Sequence, residues 1–248
     1  MSAIPSQKAT DILKHVSVAT LATALYKRGL RNQVIQGVRP VRSHHNLLAK
    51  LKPANMVGPA FTLRYMPARE DRNTLSEFQN PEHPQRQAIE QCPKGAILVI
   101  DSRKDPRAAS AGDILVTRLM IRGGAGIVTD GGFRDSDSIA ELDIPAYHAR
   151  PSSPTNLTLH EAIDMNVPIG CGDVAVFPGD YLVGDNDSVI VIPAERVDEV
   201  ANEAYEMTAY EDFVAEQVRA GISIIGLYPC TKDEHRKAFA DWRQKNKR

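Results

Sequence analysis

The sequence predicts an α/β protein with a mixed sheet or a layered barrel. Three observations carry that expectation. Residues 96–101 (AILVID) are apolar at successive positions, as in a strand covered on both faces. Strands of this kind alternate with short helical stretches along much of the chain. Residues 169–177 and 187–193 then both read as strands and follow one another through turns, with no helix between them. A plain doubly wound nucleotide fold is disfavoured, because no GxGxxG follows a strand and no phosphate-cradling P-loop pattern is present.

In chain order, residues 10–29 are expected to form one helix. Val16, Val18, Leu21 and Leu25 are its apolar positions, and Lys27-Arg28-Gly29 its basic last turn and stop. Residues 37–40 are a turn with a short extended piece. His44 and His45 are adjacent, so on a regular element they cannot both face one metal, and they are expected in a loop. Residues 56–65 form a strand entered through Gly58-Pro59, alternating Phe61, Leu63 and Tyr65 against Thr62 and Arg64. Residues 67–84 are polar and are expected to be a loop over a site. Residues 85–91 look helical, and residues 101–111 are a loop. Residues 138–142 make a helical turn, 144–149 a short strand, 151–154 a turn, and 178–185 a turn-rich hairpin region. Residues 193–221 read as a long amphipathic helix with Val197, Val200, Ala201, Ala204 and Val214 inward. Residues 223–227 are expected as a last strand, and the basic residues 236–248 as a frayed, solvated end.

The chain has 248 residues, enough to bury a sizeable core, and its apolar and charged fractions of 42% and 25% are those of an ordinary globular protein. A formal net charge of −1 gives no global field to attract nucleic acid or a membrane surface, so neither is expected as a partner. Cys92, Cys171 and Cys230 are widely spaced and odd in number, which suggests neither a zinc knuckle nor a disulfide scaffold. No signal-peptide core or membrane-length apolar run is visible, and the cytoplasm is the expected compartment.

The most informative stretch runs from Gly112-Asp113-Ile114-Leu115 to Gly131-Gly132-Phe133-Arg134-Asp135, with twenty residues between Asp113 and Arg134. A helix starting at Asp113 would offer the N–H groups of Ile114, Leu115 and Val116 to an anion. Gly123-Gly124 would end it. Residues 125–129 would then be a strand whose glycine exit turn presents Arg134 and Asp135 at its carboxyl edge. An Arg adds a carboxylate clamp, and an Asp adds a hard oxygen ligand for Mg²⁺ or Mn²⁺. From spacing alone, Asp113 could equally be a first-turn acid, and Arg134-Asp135 a solvated turn pair.

Residues 111–144 resemble the RraA-like family, which includes the regulator of ribonuclease activity A and class II 4-hydroxy-4-methyl-2-oxoglutarate / 4-carboxy-4-hydroxy-2-oxoadipate aldolases. Its aldolases carry an Asp, twenty residues, then Arg-Asp, matching Asp113, Arg134 and Asp135. Residues 56–64 (MVGPAFTLR) and 178–193 (PGDYLVGDNDSVIVIP) agree as well, so the likeness spans roughly residues 15–220. The resemblance implies a layered α/β/α arrangement around a compact mixed β core, of the phosphohistidine or swivelling-domain type. It implies a single domain over residues 1–248, with 222–248 as a C-terminal extension, and a homotrimer or homohexamer with the site between subunits. It further implies Mg²⁺ (or Mn²⁺) held at Asp135 and Arg134 on a small 2-oxo acid. Gly112, Ile114 and Leu115 would bind the carboxylate, and Glu211 of a neighbouring subunit would complete the metal's water shell. Residues 67–84 and the tail look longer than in shorter members, so the distal half of the substrate is expected to differ, with Arg64 and Arg150 as candidates to bind it.

The expected chemistry is metal-dependent retro-aldol cleavage of a 4-hydroxy-2-oxo acid to pyruvate, with oxaloacetate decarboxylation as a side activity and Arg134 and Asp113 as catalytic residues. Two alternatives stand beside it: a non-catalytic regulator that binds and inhibits an endoribonuclease, and a lyase for a sugar-derived 2-oxo acid.

Overall fold

A computed structural model describes residues 5–42 and 54–248; His44 and His45 lie outside the described residues. The chain begins with two helices rather than one, α1 (Gln7–Leu13) and α2 (Val18–Tyr26). The break falls where Ser17 turns extended and its hydroxyl accepts from Thr20 N (3.0 Å), capping α2. β1 (Arg39–Pro40), the long β2 (Met56–Pro67), α3 (Pro84–Gln91), β3 (Ile97–Asp101), β4 (Ala109–Ala111) and α4 (Asp113–Ile121) follow. Next come β5 (Gly126–Thr129), β6 (Gly132–Phe133), α5 (Ser136–Glu141), β7 (Ala146–His148), β8 (Arg150–Pro151) and β9 (His160–Met165). The hairpins β10 (Ile169–Cys171) with β11 (Val174–Val176), and β12 (Tyr181–Gly184) with β13 (Val189–Ile192), precede α6 (Val197–Arg219) and α7 (Asp233–Asn246).

The main sheet has the order β1-β7-β5-β3-β2-β12-β13, with β9 also paired to β2. Its centre, β7-β5-β3-β2, is parallel, and its flanks are antiparallel. β3 shows why the sheet is covered on both faces. Leu98 and Ile100 pack into a cluster with Val116, Leu119 and Ile139 of α4 and α5, while Ile97 and Val99 pack with Cys171, Val174, Leu182 and Val191. Each of the four is at most 1% exposed, and each contributes about 1.5–3 kcal/mol of transfer free energy. The second cluster comes mostly from strands and forms the interior of a curled, barrel-like sheet. β13 turns Ile190 and Ile192 the other way, against Leu21 and Leu25 of α2 and Val200 and Ala204 of α6. The result is helices, curled sheet, helices: the expected α/β/α layering around a mixed β core.

Several local expectations are corrected. Residues 181–184 are a strand of the main sheet rather than part of a turn region, because Leu182 and Val183 are fully buried between β2 and β13. Residues 223–227 are turns, with Ile224 and Ile225 exposed. The basic tail forms α7, which lies on α6. Phe239 and Trp242 join Tyr210, Phe213, Val214 and Leu227 in a small aromatic cluster, and Trp242 Nε1 donates to Glu216 Oε2 (2.7 Å). No helix of the described residues is long and apolar enough to cross a membrane. All three cysteines are free.

One feature of the topology positions the site. The three adjacent parallel strands β3, β5 and β7 are each followed by a short strand, β4, β6 and β8, and these pair in parallel in the same order. This second sheet sets Ala111 beside Phe133 and Phe133 beside Pro151.

Candidate active site

Past the ends of this small sheet lies a cavity of about 250 Å³, lined by Gly112, Asp113, Ile114, Leu115, Arg134 and Asp135 together with Phe78, Gln85, Arg86, Thr155 and Asn156. The two halves of the sequence motif meet because β4 and β6 are neighbours. Arg134 N donates to Ala111 O (3.1 Å), which locks the exit of β6 against the residue preceding Gly112. Gly112 then leads into α4, whose first turn holds Asp113.

Gly112 has to be small. A Cβ there would stand 2.8 Å from Asp135 Oδ2 and 2.9 Å from Arg134 Cγ. Gly131 and Gly132 are small for the same reason, with Cβ positions 2.6 Å from Ser102 Cβ and Ser152 Cβ respectively. The glycine turn expected after β5 therefore rests on close approach and not on positive φ. Asp135 is the residue that takes the left-handed conformation, at φ 56° and ψ 38°. It sits at the N-cap of α5 but its side chain caps nothing; instead Oδ2 accepts from Arg134 Nε (3.1 Å). The Arg134 and Asp135 side chains are 48% and 38% exposed, so both can reach a ligand.

The start of α4 differs in detail from expectation. Val116 N closes the first helical turn on Gly112 O (3.1 Å), and Ile114 N donates to the Asp113 carboxylate at Oδ1 (2.7 Å). Leu115 N is the one of the three expected amides with no hydrogen-bond partner among the described residues. It is the group best placed to receive a ligand oxygen, aided by the positive end of the nine-residue helix.

The wall of the cavity was not fully legible. The 67–84 segment does border it, through Phe78 in a 3₁₀ turn at Leu75–Gln79. Gln85 and Arg86, at the start of α3, had no motif to mark them. Gln85 is 3% exposed, and its Nε2 donates to Ser110 O (2.7 Å) and Tyr65 OH (3.0 Å); Tyr65 OH also donates to Ser110 O (2.9 Å). The strand carrying Ala111 and Gly112 is thus braced from behind. Thr155 and Asn156 come from a turn for which the sequence offered no signal. Arg64 and Arg150 do not line the cavity; Arg64 is ion-paired with Asp164 on β9. Glu211 does not line this chain's own cavity either, and its Oε2 accepts from Thr20 Oγ1 (2.8 Å).

No group of three or more His, Cys, Asp or Glu converges among the described residues, so a closed, protein-only metal cage is not what this chain offers. The donor set does suit Mg²⁺, which is commonly held by one or two carboxylates with the remaining positions filled by water and substrate oxygen. Asp135 Oδ2 faces the space that the absent Cβ of Gly112 leaves open, and Asp113 lines the same cavity.

Residues 18–191 match the RraA-like family model, described as Aldolase/RraA. A protein of Halalkalibacterium halodurans carrying the provisional name 4-hydroxy-4-methyl-2-oxoglutarate aldolase is 30% identical over 187 residues, spanning 74% of this chain and 83% of that one. A protein of Ectopseudomonas mendocina with the same provisional name is 39% identical over 100 residues, 40% of this chain and 61% of that one. The crystal structure of Streptomyces coelicolor RraAS2, titled an unusual member of the RNase ES inhibitor RraA family, aligns with a TM-score of 0.71 at 27% identity, over 85% of this chain and 97% of that one.

Proposed function

Because the chain belongs to the Aldolase/RraA family, we propose that it is a carbon–carbon lyase that cleaves a 4-hydroxy-2-oxo acid and releases pyruvate with the help of a divalent cation. The observation that carries this reading is the convergence of Arg134, Asp135, Asp113 and the open Leu115 N–H on one cavity. A small oxo acid needs such a set: donors for its carboxylate and a hard oxygen donor beside its C2 oxygen.

In this reading Arg134 and the Leu115 amide hold the C1 carboxylate and fix the plane of the oxo acid. Asp113, on the first turn of α4, takes the C4 hydroxyl proton. The C3–C4 bond then breaks, its electron pair moves to C3 with charge on the C2 oxygen, and the C4 hydroxyl carbon leaves as a carbonyl. The resulting pyruvate enolate regains a proton at C3. Asp135, with water, would hold Mg²⁺ or Mn²⁺, which when bound supplies Lewis-acid stabilisation of negative charge at C2. Arg134 contributes most when that charge has formed, so its effect falls on the transition state more than on binding. The same enolate chemistry accounts for oxaloacetate decarboxylation, where no hydroxyl base is required. Assembly as a trimer or hexamer, with Glu211 reaching a neighbour's site, is part of this proposal; Glu211 would then have to share or release its bond to Thr20.

The test is pyruvate release from 4-hydroxy-2-oxo acids in Mg²⁺, with and without EDTA. Release that survives thorough chelation removes the cation from the scheme, and no release from any such acid removes the lyase. The likeness to RraAS2 favours a second reading, a protein that binds and inhibits an endoribonuclease. Inhibition of such a nuclease by protein that is silent in the pyruvate assay would select it.

A further inference from the structure

Arg86 lines the same cavity as Arg134, from the opposite part of the chain. Two contacts fix it. Nε donates to the Phe78 carbonyl (3.1 Å), and Cζ lies 4.5 Å from the centroid of the Phe78 ring. Both contacts orient the guanidinium without neutralising it. Nη1 and Nη2 have no hydrogen bond and no ion pair among the described residues. The other arginines around the site are matched: Arg134 by Asp135, Arg64 by Asp164, Arg118 by Glu90. The uncompensated charge is felt locally, since His83, the residue preceding α3, is held below the usual histidine range by burial and by Arg86.

A half-buried guanidinium held by its Nε edge and one face, with two η nitrogens free, is a docking fork for an oxyanion. The charge balance of the cavity points the same way. Its ionisable lining residues are Asp113, Asp135, Arg134 and Arg86. A ligand with one carboxylate, seated at Arg134, leaves Arg86 unmatched and partly stripped of water, which is unfavourable. A ligand with a second carboxylate matches it.

We propose that Arg86, preorganised by Phe78, is the subsite for a second carboxylate, so that the protein selects dicarboxylic 2-oxo acids over monocarboxylic ones of the same length. The assignment of the first carboxylate to Arg134 and Leu115 rests on the lyase reading given above; the Arg86 subsite rests on its own contacts.

The probes are 2-oxoglutarate and 2-oxopentanoate, which have equal carbon counts and differ in the distal carboxylate. Their affinities are measured by calorimetry on the full chain in Mg²⁺. The wild type should bind 2-oxoglutarate about 10- to 100-fold more tightly, the range expected for a hydrogen-bonded charge pair. In Arg86→Gln that ratio should fall to within about threefold, and Arg86→Lys, which keeps charge but loses the fork, should lie between. A ratio near one in the wild type overturns the proposal, as does failure to bind either acid. A preference that survives in Arg86→Gln, with both affinities falling in parallel, shows that Arg86 only supports the Phe78 turn and overturns it too. Because the wild-type ratio is decisive without any variant, misfolding of a variant does not rescue the idea. Pyruvate release by the wild type from 4-hydroxy-2-oxopentanoate, which lacks a second carboxylate, reports on the lyase reading separately. Release with a flat binding ratio keeps the lyase and removes the subsite. No release with a clear binding preference does the reverse.

Discussion

Arg134 and Asp135 are consecutive, yet their side chains meet, with Nε 3.1 Å from Oδ2. In an extended strand neighbouring side chains point to opposite faces. The left-handed backbone of Asp135 cancels that alternation and swings its carboxylate back over the cavity. Arg134→Ala should therefore lower kcat/KM for pyruvate release by about three orders of magnitude, in line with the loss of a preorganised charge donor. Arg134→Lys should recover little of it, because an ammonium cannot span both a carboxylate and Asp135. A coupled assay for pyruvate checks both.

Asp135 carries a conformational cost of order 1 kcal/mol that Asn and Gly do not exceed. Asp135→Asn and Asp135→Gly should keep the melting temperature within a few degrees of the wild type, while pyruvate release falls at least about 100-fold. Asp135→Val, which is β-branched and unsuited to φ 56°, should lose stability as well. Thermal melts beside activity assays separate the two effects.

Gly112→Ala places a methyl group where the Arg134 and Asp135 side chains lie, at 2.9 and 2.8 Å. The backbone there, at φ −124° and ψ 179°, is open to any residue. The fold should survive, since only side-chain ends must move. Activity should drop about 10- to 100-fold, the usual consequence of a small misplacement of reacting groups. A variant with full activity would show that the Arg134–Asp135 arrangement tolerates displacement.

His148 is 3% exposed, stacked against Phe133, and its Nδ1 has no hydrogen-bond partner. Burial, with a smaller contribution from Arg39, pushes its pKa down to about 4. At neutral pH the ring is uncharged in both folded and unfolded chains, so it contributes no pH dependence. As the pH falls below the unfolded value of about 6.5, the unfolded chain binds a proton that the folded chain refuses, and stability declines until about pH 4. The loss attributable to this group is on the order of 3 kcal/mol. Urea unfolding at pH 7, 5.5 and 4.5 should show the decline, and His148→Leu should flatten it.

Trp242 is the sole tryptophan of the chain. It is held by Glu216 and by Phe213 and Phe239, so its fluorescence reports the seating of α7 on α6. Phe239→Ala should red-shift the emission under native conditions while the spectrum of the folded core stays intact. An unshifted spectrum would mean that α7 does not depend on this aromatic contact.

The long apolar strands and α6 were legible because burial on both faces, or on one helical face, writes itself into successive residues such as Ile97 to Ile100. The Asp113, Arg134 and Asp135 set was legible because glycines bracket it. β4, β6 and β8 were not, since strands of two or three residues carry no period. The isoleucines at 222, 224 and 225 looked like strand formers, but no neighbouring strand is there to pair with them. α7 was missed because Phe239 and Trp242 stand alone among charges, and their partners lie on α6. Arg86 has no local mark at all: its importance comes from what it is left without.

The floor of the pocket is laid by three successive passes of the chain through one small sheet, whereas Phe78, Gln85 and Arg86 arrive on a separate excursion between β2 and β3. Chemistry and selectivity are therefore inherited on different pieces of chain. A relative could acquire a new appetite by exchanging that one excursion like a cassette, and a chimaera engineered at its two roots should change what is cleaved without changing how.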